Sequence, residues 1–99
     1  MRLETEFLGH RMKNPVVPAS GTFGFGWEEA EFYDINILGS IALKGTTEQA
    51  RYGNPLPRIA ECREGLINAI GLQNPGVKAV IEEEIPRLDK VYSDKGIAN

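Results

Sequence analysis

The segment SIALKGTT, residues 40–47, sets three apolar residues, Ile41, Ala42 and Leu43, directly ahead of a lysine, a glycine and two threonines. A short apolar run closed by glycine and hydroxyl residues reads as a buried strand. Lys44 then stands at the strand's carboxyl end, its stem desolvated and its ammonium carried toward whatever occupies that end. Upstream, NPVVPASG (14–21) repeats the design: Val16 and Val17 make a short buried strand that gives way to Ala19, Ser20 and Gly21. Between the two, after the glycine-rich GTFGFG (21–26), the stretch WEEAEFYDI (27–35) spaces Trp27, Ala30, Phe32 and Tyr33 among acids and predicts a short helix.

Downstream, residues 48–74 are irregular and rich in Gly, Pro and Asn. A loop of that size in a compact domain usually has a functional reason. It contains RIAECREGLINAI (58–70), which predicts a hairpin outside the main repeat. A helix follows, with Asn74 expected as its N-cap and Pro75 at the first helical position, where a missing N–H costs nothing. Val77, Val80, Ile81, Ile85 and Leu88 fall on one face; Glu82, Glu83, Arg87 and Lys90 cover the other, with a Glu83–Arg87 support pair. Pro86 should end or kink this helix. The final KGIAN (95–99) reads as the start of a third strand.

The order is strand, helix, strand, long excursion, helix, strand. Such alternation predicts an α/β fold with a parallel sheet and crossover helices. Ligands of these folds collect at the carboxyl ends of the strands, which here carry Ser20, Lys44 with Gly45, and Asn99. An anion suits Lys44: a ligand carboxylate, or the negative charge that builds near N1 and the C2 carbonyl of a reduced flavin. A lysine that merely snorkels to solvent is the alternative.

Composition bounds the rest. The 99 residues are 41% hydrophobic and 25% charged with a net charge of −3, enough for one modest core. The eleven Lys and Arg residues are scattered rather than striped, so no nucleic-acid partner is expected. The amino-terminal MRLETEFLGHRMKNP lacks the apolar core of a signal peptide, and no apolar run approaches the ~18 residues of a membrane span, which predicts a cytoplasmic protein without a membrane partner. A single cysteine, Cys62, excludes an intramolecular disulfide framework; it reads as inert, and His10, between Gly9 and Arg11, as a turn residue. No dinucleotide fingerprint, Walker loop, serine triad or metal-ligand spacing is present.

NAIGLQNPG (68–76) leaves two readings open. Asn-Pro-Gly is strong turn chemistry. Asn68 and Gln73 also each offer an amide acceptor and donor, the equipment for reading a flat ligand that alternates the two.

Taken together, KNPVVPASGTFGFG (13–26), ALKGTT (42–47), GNPLPRIAE (53–61) and NAIGLQNPG (68–76) closely resemble the N-terminal part of bacterial dihydroorotate dehydrogenases of class 1B, over about residues 8–99. The resemblance implies a (β/α)8 TIM barrel that holds FMN at the carboxyl face of its strands and oxidises dihydroorotate to orotate for pyrimidine biosynthesis. On the matching positions Ser20, Lys44, Gly45 and Asn99 would bind FMN. Lys44 would also approach the substrate, and Asn68, Ala69, Ile70, Gly71 and Leu72 would line the orotate site. An electron-transfer subunit with FAD and an iron–sulfur cluster, passing electrons to NAD+, is the implied partner, and the complete enzyme is expected to be an oligomer. Barrels of this type need ~250 residues, so residues 1–99 are expected to be an incomplete N-terminal portion of one flavin-binding barrel domain, about three strands plus the excursion hairpin. The catalytic cysteine of the family falls beyond residue 99 and does not match Cys62. By itself the chain is therefore expected to be inactive and poorly stable. The alternatives are a non-catalytic binding or assembly module, and a related flavin barrel acting on another pyrimidine.

Overall fold

The computed structural model describes residues 2–93. The chain opens with an antiparallel hairpin, β1 (Thr5–Phe7) and β2 (His10–Met12), in which Phe7 faces His10. Leu8 (φ 50°) and Gly9 (φ 80°) form its two-residue turn. Two successive left-handed residues match the twist of the flanking strands, the geometry tight hairpins favour. His10 thus belongs to a strand, correcting its assignment to a turn.

The two segments expected to be strands run side by side without forming a ladder with each other. The Gly39 amide donates to the Val16 carbonyl at 3.0 Å, and Ser20 Oγ donates to the Leu43 carbonyl at 3.1 Å. The offset is the same in both pairs (39 − 16 = 23; 43 − 20 = 23), so the segments point in one direction and finish level with each other. Among the described residues the sheets are two antiparallel hairpins, not a parallel sheet. Pro15 and Pro18 bracket Val16–Val17 and remove backbone donors on both sides, which breaks up any ladder there. Val16, expected to be buried, is 55% exposed, whereas Ile41 and Leu43 are buried as the apolar run requires.

The helix expected over 27–35 is reduced to a 3-10 turn, Glu29–Glu31, followed by a second, Ile35–Ile37. Asp34 separates them: its Oδ1 accepts the Asn36 amide at 3.0 Å and so starts a new turn instead of extending the old one. Ile35 and Leu38 drop from this region into a core with Phe23, Phe25, Ile41, Leu43, Val80, Leu88 and Tyr92, flanked by half-buried Trp27, Ala30 and Ile85.

The excursion forms the expected hairpin, β3 (Ile59–Cys62) and β4 (Gly65–Asn68), with Ile59 facing Asn68. It stands away from the core, and all its strand residues are exposed.

The C-terminal helix comprises α1 (Val77–Ala79), a π-helical stretch Val80–Glu84, and α2 (Ile85–Asp89). Its N-cap is Gly76, not Asn74: Asn74 Oδ1 does accept the Gly76 amide at 3.0 Å, but Gly76 itself stands at φ 90°, outside the helical region, so the helix begins only after it. The effect expected of Pro86 takes the form of the wider π turns ahead of it, leaving proline in the first turn of α2 where no N–H is needed. The added width shifts the phase of the apolar stripe. Val80 and Leu88 are buried, but Val77 is 40% and Ile81 61% exposed, contrary to the single face the spacing predicts. Arg87 pairs with Glu84 (3.8 Å) rather than Glu83, while Trp27 Nε1 donates to Glu84 Oε2 at 2.6 Å and the Arg87 guanidinium sits 5.1 Å from the Trp27 ring centre. No helix among the described residues is long and apolar enough to cross a membrane. The expected strand at KGIAN lies outside the described residues.

Candidate functional site

The parallel course of 16–20 and 39–43 brings Ser20 beside the end of the run that delivers Lys44. The Ser20 hydroxyl bonds the Leu43 carbonyl, one peptide before the lysine. Lys44 and Gly45 are half-buried, and the Thr46 hydroxyl donates back to the Lys44 carbonyl at 3.0 Å, holding the chain in a turn as it leaves the core. No ion pair among the described residues involves Lys44.

From this turn the hydrogen bonds continue into the second candidate segment. Asn74 Oδ1 accepts the Thr47 amide at 3.1 Å, and Asn74 Nδ2 donates to the Leu72 carbonyl at 2.7 Å. Thr47 in turn accepts the Val77 amide at 2.9 Å through its carbonyl, tying the same turn to the start of α1.

Residues 68–72 are held by their carbonyls. Asn54 donates to Ala69 through Nδ2 and to Ile70 through its amide, both at 2.9 Å; Arg51 Nε reaches the Gly71 carbonyl at 3.3 Å; Asn74 takes that of Leu72. The Ala69 amide donates to the Arg58 carbonyl at 2.7 Å. None of the hydrogen bonds among the described residues uses the N–H of Ile70, Gly71 or Leu72. The run is therefore satisfied on its acceptor side and offers a row of donors, which suits a ligand rich in carbonyl or carboxylate oxygens. Asn68, exposed at the end of β4, adds an amide that both donates and accepts.

Two backbone features make this path possible. Gly71 has φ 82°, and a Cβ there would lie 2.8 Å from the Asn54 backbone nitrogen, so the two strands of chain cross more closely than any side chain allows. Leu72 also takes a left-handed conformation (φ 56°), a costly one for leucine that persists because its carbonyl is fixed.

The site residues expected from sequence are placed as follows. Ser20, Lys44 and Gly45 meet at one end of the paired segments, Ala69–Leu72 form a single donor-lined run joined to them through Thr47 and Asn74, and Asn68 lies on the hairpin at its edge. Asn99 lies outside the described residues. Cys62 is an exposed free thiol on β3. Among the described residues no group of three or more His, Cys, Asp and Glu could hold a metal. The residues that sequence reasoning missed are the organisers. Arg58 donates to the carbonyls of Asn54 (2.6 Å) and Tyr52 (2.9 Å) and to Gln73 Oε1 (3.0 Å), and so supports both sides of the crossing. Their signal was an arginine and two asparagines in a Gly- and Pro-rich loop, where backbone groups without a ladder need side-chain partners.

Comparison with known proteins points to one family. The family model for dihydroorotate dehydrogenase matches residues 2–99. The catalytic subunit of dihydroorotate dehydrogenase B (NAD(+)) from Bacillus cytotoxicus is 60% identical over 89 residues, covering 90% of this chain and 29% of that protein. Its counterparts from Bacillus thuringiensis and Bacillus cereus are 58% identical with the same coverage. This chain thus spans 29% of the length of these curated relatives.

Proposed function

This chain belongs to the dihydroorotate dehydrogenase family, and from that premise we propose that the whole protein oxidises dihydroorotate to orotate in pyrimidine biosynthesis. The reading includes a (β/α)8 barrel, FMN as the flavin, an electron-transfer subunit with FAD and an iron–sulfur cluster, NAD+ as final acceptor, an oligomeric assembly and a cytoplasmic location. The observation that carries it is the donor-lined run Ile70–Leu72, joined through Thr47 and Asn74 to the turn that bears Lys44.

The residues present fit the cofactor. Lys44 supplies an ammonium, the Ser20 hydroxyl, whose proton goes to the Leu43 carbonyl, supplies an acceptor oxygen, and at Gly21 beside them an added Cβ would meet nothing within 4 Å, so the backbone there is open to approach. When bound, FMN supplies the two-electron acceptor. Ser20, Lys44 and Gly45 would hold it. Lys44 opposes negative charge on the flavin and on the substrate, and does so effectively because its stem is half-buried. The N–H groups of Ile70–Leu72 take the substrate's carboxylate or ring carbonyls, while the Asn68 amide sets the orientation of the ring. Cys62 is not assigned the removal of the substrate proton.

The test uses the full-length protein. Lys44→Ala should slow anaerobic bleaching of the flavin band near ~450 nm by dihydroorotate on the order of 100-fold and weaken flavin retention. Unchanged reduction would remove Lys44 from the site. Bleaching of the wild type by dihydrouracil in place of dihydroorotate would move the substrate to another pyrimidine.

A further inference from the structure

Asn74 is among the most buried polar residues described, with 6% of its surface exposed, and its side chain is fully engaged. Oδ1 accepts the amides of Thr47 (3.1 Å) and Gly76 (3.0 Å); Nδ2 donates to the Leu72 carbonyl (2.7 Å) and to Thr47 Oγ1 (3.0 Å), which itself donates to the Gln49 carbonyl (2.6 Å). Two N–H groups on one side and a carbonyl on the other leave only one orientation of the amide. Its backbone is also fixed, exchanging hydrogen bonds with Arg51 at 2.9 and 3.0 Å. One side chain thus sets the distance between the turn that carries Lys44 and the donor run that ends at Leu72.

We propose that Asn74 is a positioning residue for substrate binding: it registers the Ile70–Leu72 donors against Lys44, so that one ligand meets both. This rests on the function proposed above. Leu72 sits in a left-handed conformation that the bond from Nδ2 opposes relaxing. Losing that bond lets the last donor of the run turn away, while the turn at Thr47 keeps its bond to Oδ1. Substrate affinity should therefore fall before flavin binding does.

Asn74→Asp separates the two functions of the amide. The carboxylate keeps an acceptor for Thr47 and Gly76 but sets an oxygen against the Leu72 carbonyl. Thr47→Val removes the hydroxyl beside Nδ2 and serves as the second variant. In FMN-loaded full-length protein, orotate is titrated against the flavin spectrum and dihydroorotate turnover is measured in parallel. The expected result for Asn74→Asp is an orotate Kd and a dihydroorotate KM raised about tenfold with flavin stoichiometry retained; Thr47→Val should give a smaller rise of the same kind. Orotate binding equal to wild type in either flavin-loaded variant overturns the proposal, as does loss of flavin in step with loss of orotate. If wild-type protein itself shows no orotate-dependent change, it is the assignment of the substrate that fails.

Discussion

Replacing Gly71 with alanine puts a number on the crossing that shapes the donor run. Two costs can be separated. At φ 82° an L-residue is disfavoured by about 1 kcal/mol. The new Cβ would also lie 2.8 Å from the backbone nitrogen and from the side-chain Cγ of Asn54. The first is backbone and cannot swing aside, so relief means parting the two segments and stretching the Asn54 bonds to Ile70 and Ala69, each worth about 1 kcal/mol. The total is about 2–4 kcal/mol. Gly9→Ala isolates the first cost, since Gly9 has φ 80° with nothing within 4 Å of its added Cβ, and should lose about 1 kcal/mol. Gly65→Ala, also in open space, should change stability by less than about 0.5 kcal/mol. Urea unfolding of full-length protein carrying each change, compared at equal slope, gives the three differences. If Gly71→Ala costs no more than Gly9→Ala, the close approach has no energetic weight and the account of this segment fails.

Trp27→Phe deprives Glu84 Oε2 of its 2.6 Å donor and should destabilise by about 1–3 kcal/mol; Glu84→Gln, which keeps a neutral acceptor in place, should lose part of that, and no loss in Glu84→Gln on urea unfolding would argue against a bond strengthened by the carboxylate charge. The Asp34 carboxyl is held below its ordinary range by hydrogen bonds from the Asn36 side chain and amide. A depressed value in the folded protein contributes stability above the unfolded pKa of about 4, and that contribution is lost as pH falls through the lower folded value. Asp34→Asn should therefore flatten the loss of stability below about pH 4; unfolding midpoints with the same acid dependence in both proteins would contradict this.

Local chemistry made part of the fold legible. The β3–β4 hairpin could be read because its turn and its strands lie within one short stretch. The burial of Ile41 and Leu43 followed from an apolar run with no proline inside it. Val16 and Val17 carry the same β-branched signal, but Pro15 and Pro18 outweigh it. The start of the last helix was misplaced for a different reason. Asn74 has the chemistry of an N-cap and its oxygen does take the Gly76 amide, but Gly76 at φ 90° delays the helix, and the same oxygen also serves Thr47, 27 residues earlier in the chain, a partner that no local pattern reveals. The phase of that helix was likewise set by its π stretch, which put Ile81 outward although its spacing from Leu88 looked right. In the candidate site, Ser20 and Lys44 were expected as strand-end residues and the 68–72 run from the family resemblance. Arg58 and Asn74 were not, because their contribution is to distant backbone atoms.

The paired backbone bonds between Arg51 and Asn74 have a consequence for how such a protein can change over time. They bring the two ends of the excursion together, so everything between them behaves as a cassette clipped into the scaffold at one point. Lengthening or shortening a loop whose ends are already joined costs little. Mutation can then remodel the hairpin and the face it presents to a ligand without disturbing the packing of Ile35 and Ile41. Selection for a different ligand, or for a different neighbour at the hairpin tip, has a place to act that leaves folding of the rest intact.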